Sequence, residues 1–248
     1  MDPIHQFEIS KLITLGHIGP YEIAFTNSAL FMFLAVGAIV VLLIGGMRHR
    51  ALVPGRLQSI AELSYEFVAD IVQSSAGSDG MKFLPLVFSL FMFILFANLI
   101  GLIPYTFTVT SHIIITAALA LLVFFTVLVY GVREHGLHFF KLFAPSGIPI
   151  FVLPLLIVIE ILSFLSRPLS HSVRLFANML AGHIALKLFG AFVVMIGGLG
   201  IFGLFGAVVP LAFTVALTAL EFLVAFLQAY VFVILTCVYL ADALHPSH

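Results

Sequence analysis

The sequence predicts an all-α polytopic membrane protein, with about five membrane-embedded helices and one amphipathic interfacial helix. Three observations lead there. Of 248 residues, 62% are hydrophobic and only 8% charged, and the mean hydropathy is +1.26. A soluble domain is about 25% charged, so a soluble fold of this length could not cover its surface with these few charges. Uncharged apolar runs of about 20 residues, the length that crosses ~30 Å of hydrocarbon, recur along the chain. The 10 Lys+Arg nearly balance the 11 Asp+Glu, which argues against a nucleic-acid partner, because such a partner calls for a basic surplus. One cysteine, Cys237, excludes a disulfide framework and a cysteine-based zinc site.

Residues 1–27 are mixed and mildly acidic, without the basic start and short apolar core of a secretory signal, so no cleaved leader is expected. The first span covers 28–47. Residues 56–73 differ in kind. Leu57, Ile60, Ala61, Ser64, Phe67, Val68, Ile71 and Val72 fall at helical spacing on one side. Gln58, Glu62, Glu66, Asp70 and Gln73 lie mostly on the other, the pattern of a helix lying along the interface. Packing on a soluble neighbour is the alternative. Residues 83–103 and 112–132 read as a helical hairpin joined by an uncharged turn around Pro104. A fourth apolar stretch, 148–165, is interrupted only by Glu160. From 188 to 240 the one charge is Glu221; that run is too long for one upright span, and Gly197, Gly198 and Gly200 offer a break. The chain thus reads as a single membrane domain whose last two helices, 148–189 and 191–243, are long.

Charge placement sets orientation through the positive-inside rule. Arg48, Arg50, Arg56 and Lys82 follow the first span, and Arg133 and Lys141 follow the third. The amino-terminal tail has only Lys11 against Asp2, Glu8 and Glu22. The amino terminus is therefore expected outside and the carboxyl terminus inside. Tyr65, Tyr105 and Tyr130 serve as interface anchors in a chain without tryptophan.

The segment 160–187, EILSFLSRPLSHSVRLFANMLAGHIALK, carries most of the functional argument. At about 100° per residue, Glu160, Ser163, Arg167, Ser170, His171 and Asn178 all fall within roughly 60° of Arg174. His183 and Lys187 sit on nearly the opposite side. At about 1.5 Å per residue, Glu160 lies ~21 Å before Arg174 along the axis and His183 ~13 Å beyond it. Thr214, Thr218, Glu221, Ala225 and Gln228 likewise mark one small-or-polar face of the last helix. Hydropathy alone allows a plainer reading, in which Pro168 breaks the chain and 166–187 is a loop with Arg167, Arg174 and Lys187 as topology charges. That loop would put three cations outside, against the rule the other loops obey. An arginine at membrane depth costs ~2.5 kcal/mol or more, so it is kept where it meets water or a partner charge.

These residues resemble a known family. SRPLSHSVRLFANMLAGH is similar to the signature of subunit a of the F-type ATP synthase, the stator part of its proton-translocating membrane sector. ANLIGLIPYTFTVT and ALEFLVAFLQAYVFVILTCVYL resemble the corresponding segments of its second span and last helix. The resemblance implies that the last two helices are strongly tilted and pack against a rotating ring of c subunits. It makes Arg174 the arginine that faces the ring's carboxylates, with Asn178 and Gln228 close to it. It places Glu160 in the cytoplasmic half-channel and His183 with Glu221 in the outer one, the arrangement of the alphaproteobacterial and mitochondrial branch. Asn98 matches a polar residue of the outer pathway and Tyr239 a tyrosine near the cytoplasmic end. Ser170 and His171, on the line of Arg174, complete the proton-translocation set.

The implied partners are the c-subunit ring, b-type peripheral-stalk subunits, the rest of the synthase, the lipid bilayer and protons. No cofactor, metal or nucleic acid is implied, and nucleotide chemistry falls to other subunits. The implied location is the bacterial inner membrane, or alternatively the mitochondrial one. Two other classes compete on the residues alone. A stand-alone proton channel or secondary transporter would use the same buried charges, although transporters commonly carry paired repeats, which are not evident here. A metal or haem protein would use some of the 10 histidines, but His112, His135, His138, His245 and His248 read better as solvated or interfacial.

Overall fold

The computed structural model describes residues 8–18, 21–48, 53–103, 106–136, 139 and 151–244. Arg50, Pro104, Tyr105, His138, Lys141, His245 and His248 lie outside the described residues. Most of the described residues are helical, and among them five helices are long and apolar enough to cross a membrane. The elements in order are strands β1 (Lys11–Ile18) and β2 (Tyr21–Thr26), then helices α1 (Asn27–Met47), α2 (Arg56–Gly80), α3 (Leu84–Gly101), α4 (Ile113–His135), α5 (Leu153–Gly197) and α6 (Ile201–Leu244). The described backbone divides into two compact units.

The first unit comprises Met1–Val41, Phe93–His112 and Leu175–Gln228. It opens with an antiparallel hairpin that pairs Thr14 with Ala24 and His17 with Glu22. Hydropathy gives no sign of these strands, because the pair is short and largely exposed. The β-branched residues of LITLGHI ahead of Gly19 and Pro20 are the signal that was there to read. The hairpin leads straight into α1. The Asn27 amide donates to the Glu8 carbonyl at 3.0 Å, and the Thr26 hydroxyl accepts from the Ala29 N–H at 3.3 Å, capping the helix. Ile94, Ala97, Leu175, Met179, Ala207 and Ala225 are buried here. The turn from α5 to α6 falls at 198–200, where Gly200 has φ +88. A Cβ on Gly203 would overlap the Ile196 carbonyl, so the two helices approach closely at this turn only because of glycine.

The second unit comprises Leu42–Met92, Ile113–Arg174 and Ala229–His248. The amphipathic helix α2 runs past 73 to Gly80 and bends at Gly77, which has φ +65. Its inward face is narrower than the periodicity implies: Ala61, Val68, Ile71, Val72 and Ala76 are buried, whereas Leu57 and Ile60 are exposed. Aromatic pairs knit the unit, with Phe83 edge-on to Tyr130 at 4.7 Å and Phe124 against Phe164 at 5.1 Å. A Cβ on Gly131 would overlap the ring of the buried Phe139.

Two histidines are more engaged than a solvated reading allows. In the second unit, His135 Nε2–H donates to the carbonyl of Leu244 at 3.2 Å, satisfying an end group of α6. In the first, His112 is half-buried and stacks on Phe107 at 4.8 Å.

The loop alternative for 166–187 does not hold, since α5 is continuous over 45 residues with Pro168 inside it. The helix tolerates the proline because what is lost is local. Ser166 and Ser170 return their hydroxyls to the carbonyls of Ser163 and Arg167, so neither competes with the helix from outside. The helix also ends later than 189, and α6 starts at Ile201 rather than 191, because residues 190–196 are apolar and the first strong break is the glycine group. At about 1.5 Å per residue, the 45 and 44 residues of α5 and α6 span about 67 Å each, more than twice the ~30 Å apolar layer.

Candidate functional site

In the first unit, α5 and α6 bring together the carboxylate and imidazole expected to pair. His183 Nδ1 lies 3.2 Å from Glu221 Oε1, and both side chains are buried. His183 Nε2 lies 2.9 Å from the Gly101 carbonyl at the end of α3. Glu221 Oε2 is buried and has no hydrogen-bond partner among the described residues. The seat for this carboxyl is Gly182: a Cβ there would overlap Glu221 Oε1 and stand 3.0 Å from Cδ. A lone glycine in a helical run usually marks a close approach, which is the signal that could have identified Gly182 beforehand.

Five residues before His183 on α5 and seven after Glu221 on α6, Asn178 donates from Nδ2 to Gln228 Oε1 at 2.8 Å. Asn98 is fully buried, and its amide is used at both ends. Its Nδ2 donates to the Ala225 carbonyl at 3.2 Å, and its Oδ1 accepts from the Thr110 hydroxyl at 2.7 Å. It therefore brackets α3 to α6. Replacing Asn98 with alanine leaves the buried Thr110 hydroxyl without its acceptor, and stability is expected to fall by about 2 kcal/mol. A lower thermal midpoint of the solubilised complex is the expected measurement; an unchanged midpoint contradicts the bracket.

In the second unit a different cluster forms. Arg167 Nη1 donates to Asp242 Oδ2 at 2.8 Å, and its guanidinium lies 4.8 Å from the Tyr239 ring and 5.4 Å from the Phe164 ring. His171 is buried edge-on to Phe232 at 4.7 Å, beside Tyr239 at 5.2 Å, and its Nε2 has no hydrogen-bond partner among the described residues. Ser172 and Thr116 hydroxyls lie 3.1 Å apart. Arg167, His171 and Tyr239 line a cavity of about 10 Å³, room for one water. Sequence reasoning missed Asp242, because nothing local says which cation a carboxylate near the chain end will meet.

The polar line of α5 is divided by packing. Arg174, Asn178, Ser163 and Ser170 are exposed, Glu160 and Arg167 are half-buried, and His171 is buried. His171 joins Phe164 on the inward side of α5 in the second unit, about a sixth of a turn from Arg174. Among the described residues, no hydrogen bond or ion pair reaches Arg174 or Glu160. On α6, Glu221, Ala225 and Gln228 are buried as their spacing implies. Thr218 is exposed instead, its hydroxyl turned to the Thr214 carbonyl at 2.8 Å. Among the described residues, no three His, Cys, Asp or Glu side chains converge on a metal site.

Long apolar helices that bury an acid–imidazole pair and present an arginine define a polytopic membrane protein that keeps ionisable groups within its helices. The ATP synthase A chain family matches residues 29–241, and the chain belongs to that family. It is 68% identical over 247 residues to ATP synthase subunit a of Rhodopseudomonas palustris, covering 100% of this chain and 99% of the relative. It is 67% identical over 248 residues to ATP synthase subunit a of Nitrobacter winogradskyi, covering 100% of both chains. As a component of that complex the chain is non-catalytic, catalysis belonging to other subunits.

Proposed function

We propose that this chain is the proton-translocating stator subunit of the ATP synthase membrane sector, offering two half-channels and one arginine to a ring of c subunits. The observation that carries this reading is the state of Arg174. It stands within a long apolar helix, it is exposed, and no acid of the described residues pairs with it. A guanidinium at membrane depth without a partner is too costly to keep, so its counter-charge comes from another chain. A ring of carboxylates arriving one at a time supplies that partner. The fixed cation draws in each deprotonated carboxylate and repels protons that would otherwise pass directly between the two access paths.

On this reading His183 and Glu221 form the outer half-channel beside Asn98. Glu160, Ser170, His171 and Tyr239 serve the cytoplasmic side, and Asn178 and Gln228 flank the arginine. Helices of about 67 Å fit a ~30 Å layer only when strongly tilted, which would lay a long face of α5 and α6 along the ring. The orientation follows from the basic segments: amino terminus periplasmic, carboxyl terminus cytoplasmic, in a bacterial inner membrane, with b-type stalk subunits holding the stator.

A cryo-EM map of the intact complex tests the central claim. It is expected to place Arg174 within ~4 Å of a ring carboxylate; an arginine facing lipid on the side away from the ring overturns it. Glu160→Leu is expected to slow ATP-driven acidification of inverted vesicles by about a hundredfold, the lower range for a lost acid–base group. A wild-type rate removes Glu160 from the pathway.

A further inference from the structure

The atoms around His183 determine which protons the buried pair can exchange. A carbonyl only accepts, so the 2.9 Å contact with Gly101 requires a hydrogen on Nε2. Nδ1 is then the nitrogen facing Glu221 Oε1 at 3.2 Å. Two bare lone pairs would repel at that distance, so one proton lies between them. Either a neutral carboxyl donates to a neutral imidazole, or an imidazolium donates to a carboxylate. Passing the proton from Oε1 to Nδ1 leaves Glu221 anionic and His183 cationic, and the net charge of the pair does not change. That exchange is the least costly one in an interior that penalises uncompensated charge.

With Nε2 bonded to Gly101 and Nδ1 bonded to Glu221, Glu221 Oε2 is the acceptor of the pair that has no partner among the described residues. We propose that the Gly101 carbonyl is a tautomer lock that keeps His183 protonated on Nε2 in every working state. His183 is then a positioning residue that holds and returns the proton of Glu221, and protons enter and leave the pair through Oε2. The lock is itself braced. The Thr108 hydroxyl donates to the same carbonyl at 3.4 Å, and a Cβ on Gly101 would stand 2.8 Å from Thr108 Cγ2. Glycine at 101 is what lets Thr108 come this close to the carbonyl that holds the imidazole. The tautomer follows from the geometry alone, whereas its role in transport rests on the outer half-channel reading.

The test uses the reconstituted synthase in two arms. In the first, the complex carries ¹⁵N-histidine, and solid-state NMR assigns His183 by difference from the His183→Gln complex. Nε2 is expected to remain protonated at every pH the complex withstands; a bare Nε2 at any of them overturns the lock. In the second arm, ATP-driven acidification of vesicles is followed against pH. His183→Gln is expected to keep transport within about tenfold of wild type, about 1.4 kcal/mol in free energy, with a displaced pH profile. Glu221→Gln is expected to abolish it. Equal abolition by both variants, in complexes that assemble normally, overturns the positioning role and makes His183 an in-line carrier. Wild-type transport in both variants overturns the outer half-channel reading, whatever tautomer the first arm finds.

Discussion

Replacing Arg174 with alanine is expected to abolish proton-driven ATP synthesis in vesicles, with the complex still assembled. The arginine is exposed and makes no bond among the described residues, so its removal leaves no buried group stranded in this chain. On the proposed function, what disappears is the attraction for an arriving carboxylate, about 4 kcal/mol for charges 4 Å apart at an effective dielectric constant of 20. That corresponds to roughly three orders of magnitude in occupancy of the deprotonated state, and it also removes the barrier between the access paths. Lysine is expected to fail as well, because it can shed its charge when desolvated and lacks the planar fork. Measured ATP synthesis above background in the alanine variant would sink the assignment of Arg174.

The second large effect falls on the seat of Glu221. Glu221→Leu removes the acid and leaves His183 Nδ1 facing an apolar side chain, so proton delivery from the outer side is expected to fall by at least about a hundredfold. Gly182→Ala is the sharper probe, because it changes no ionisable group. A methyl at 182 overlaps Oε1, so the carboxyl must swing away from His183 or the helices must part. ATP synthesis driven by an imposed proton gradient is expected to drop in the same direction, though less far, since the acid is displaced and not lost. A Gly182→Ala enzyme with wild-type rates would show that the carboxyl position is not critical.

Some of this was legible in the order of residues, and the reasons are local. Crossing an apolar layer demands a run of uncharged side chains, so the spans and the amphipathic α2 stand out by hydropathy and period. The cost of burying a cation makes Arg174 conspicuous without any coordinates. The pairing of His183 with Glu221 was expected from resemblance, and the structure brings the two within hydrogen-bond distance. Pro168 misled only the hydropathy reading. A proline inside a membrane helix removes one hydrogen bond, and neighbouring groups in a packed bundle can absorb that loss.

Other features depended on packing. A period of about 100° per residue fixes the angles between side chains on one helix, but not which angle faces a neighbour. Hence Arg174 and His171 share one polar line by count, yet one is exposed and the other buried. Which carboxylate Arg167 would meet, and which backbone oxygen would hold His183, are questions between elements far apart in the chain. Their answers, Asp242 and the Gly101 carbonyl, come from how helices approach, and the glycines at 101 and 182 set how close that approach can be. The sequence by itself determined that the chain spans a membrane and carries a few ionisable groups at depth, because burying charge in hydrocarbon is costly enough to show in composition. Only the tertiary structure decided which of those groups are paired, which are exposed and which lone pair stays open, because hydrogen bonds across helices depend on ångström-scale distances that no local pattern encodes.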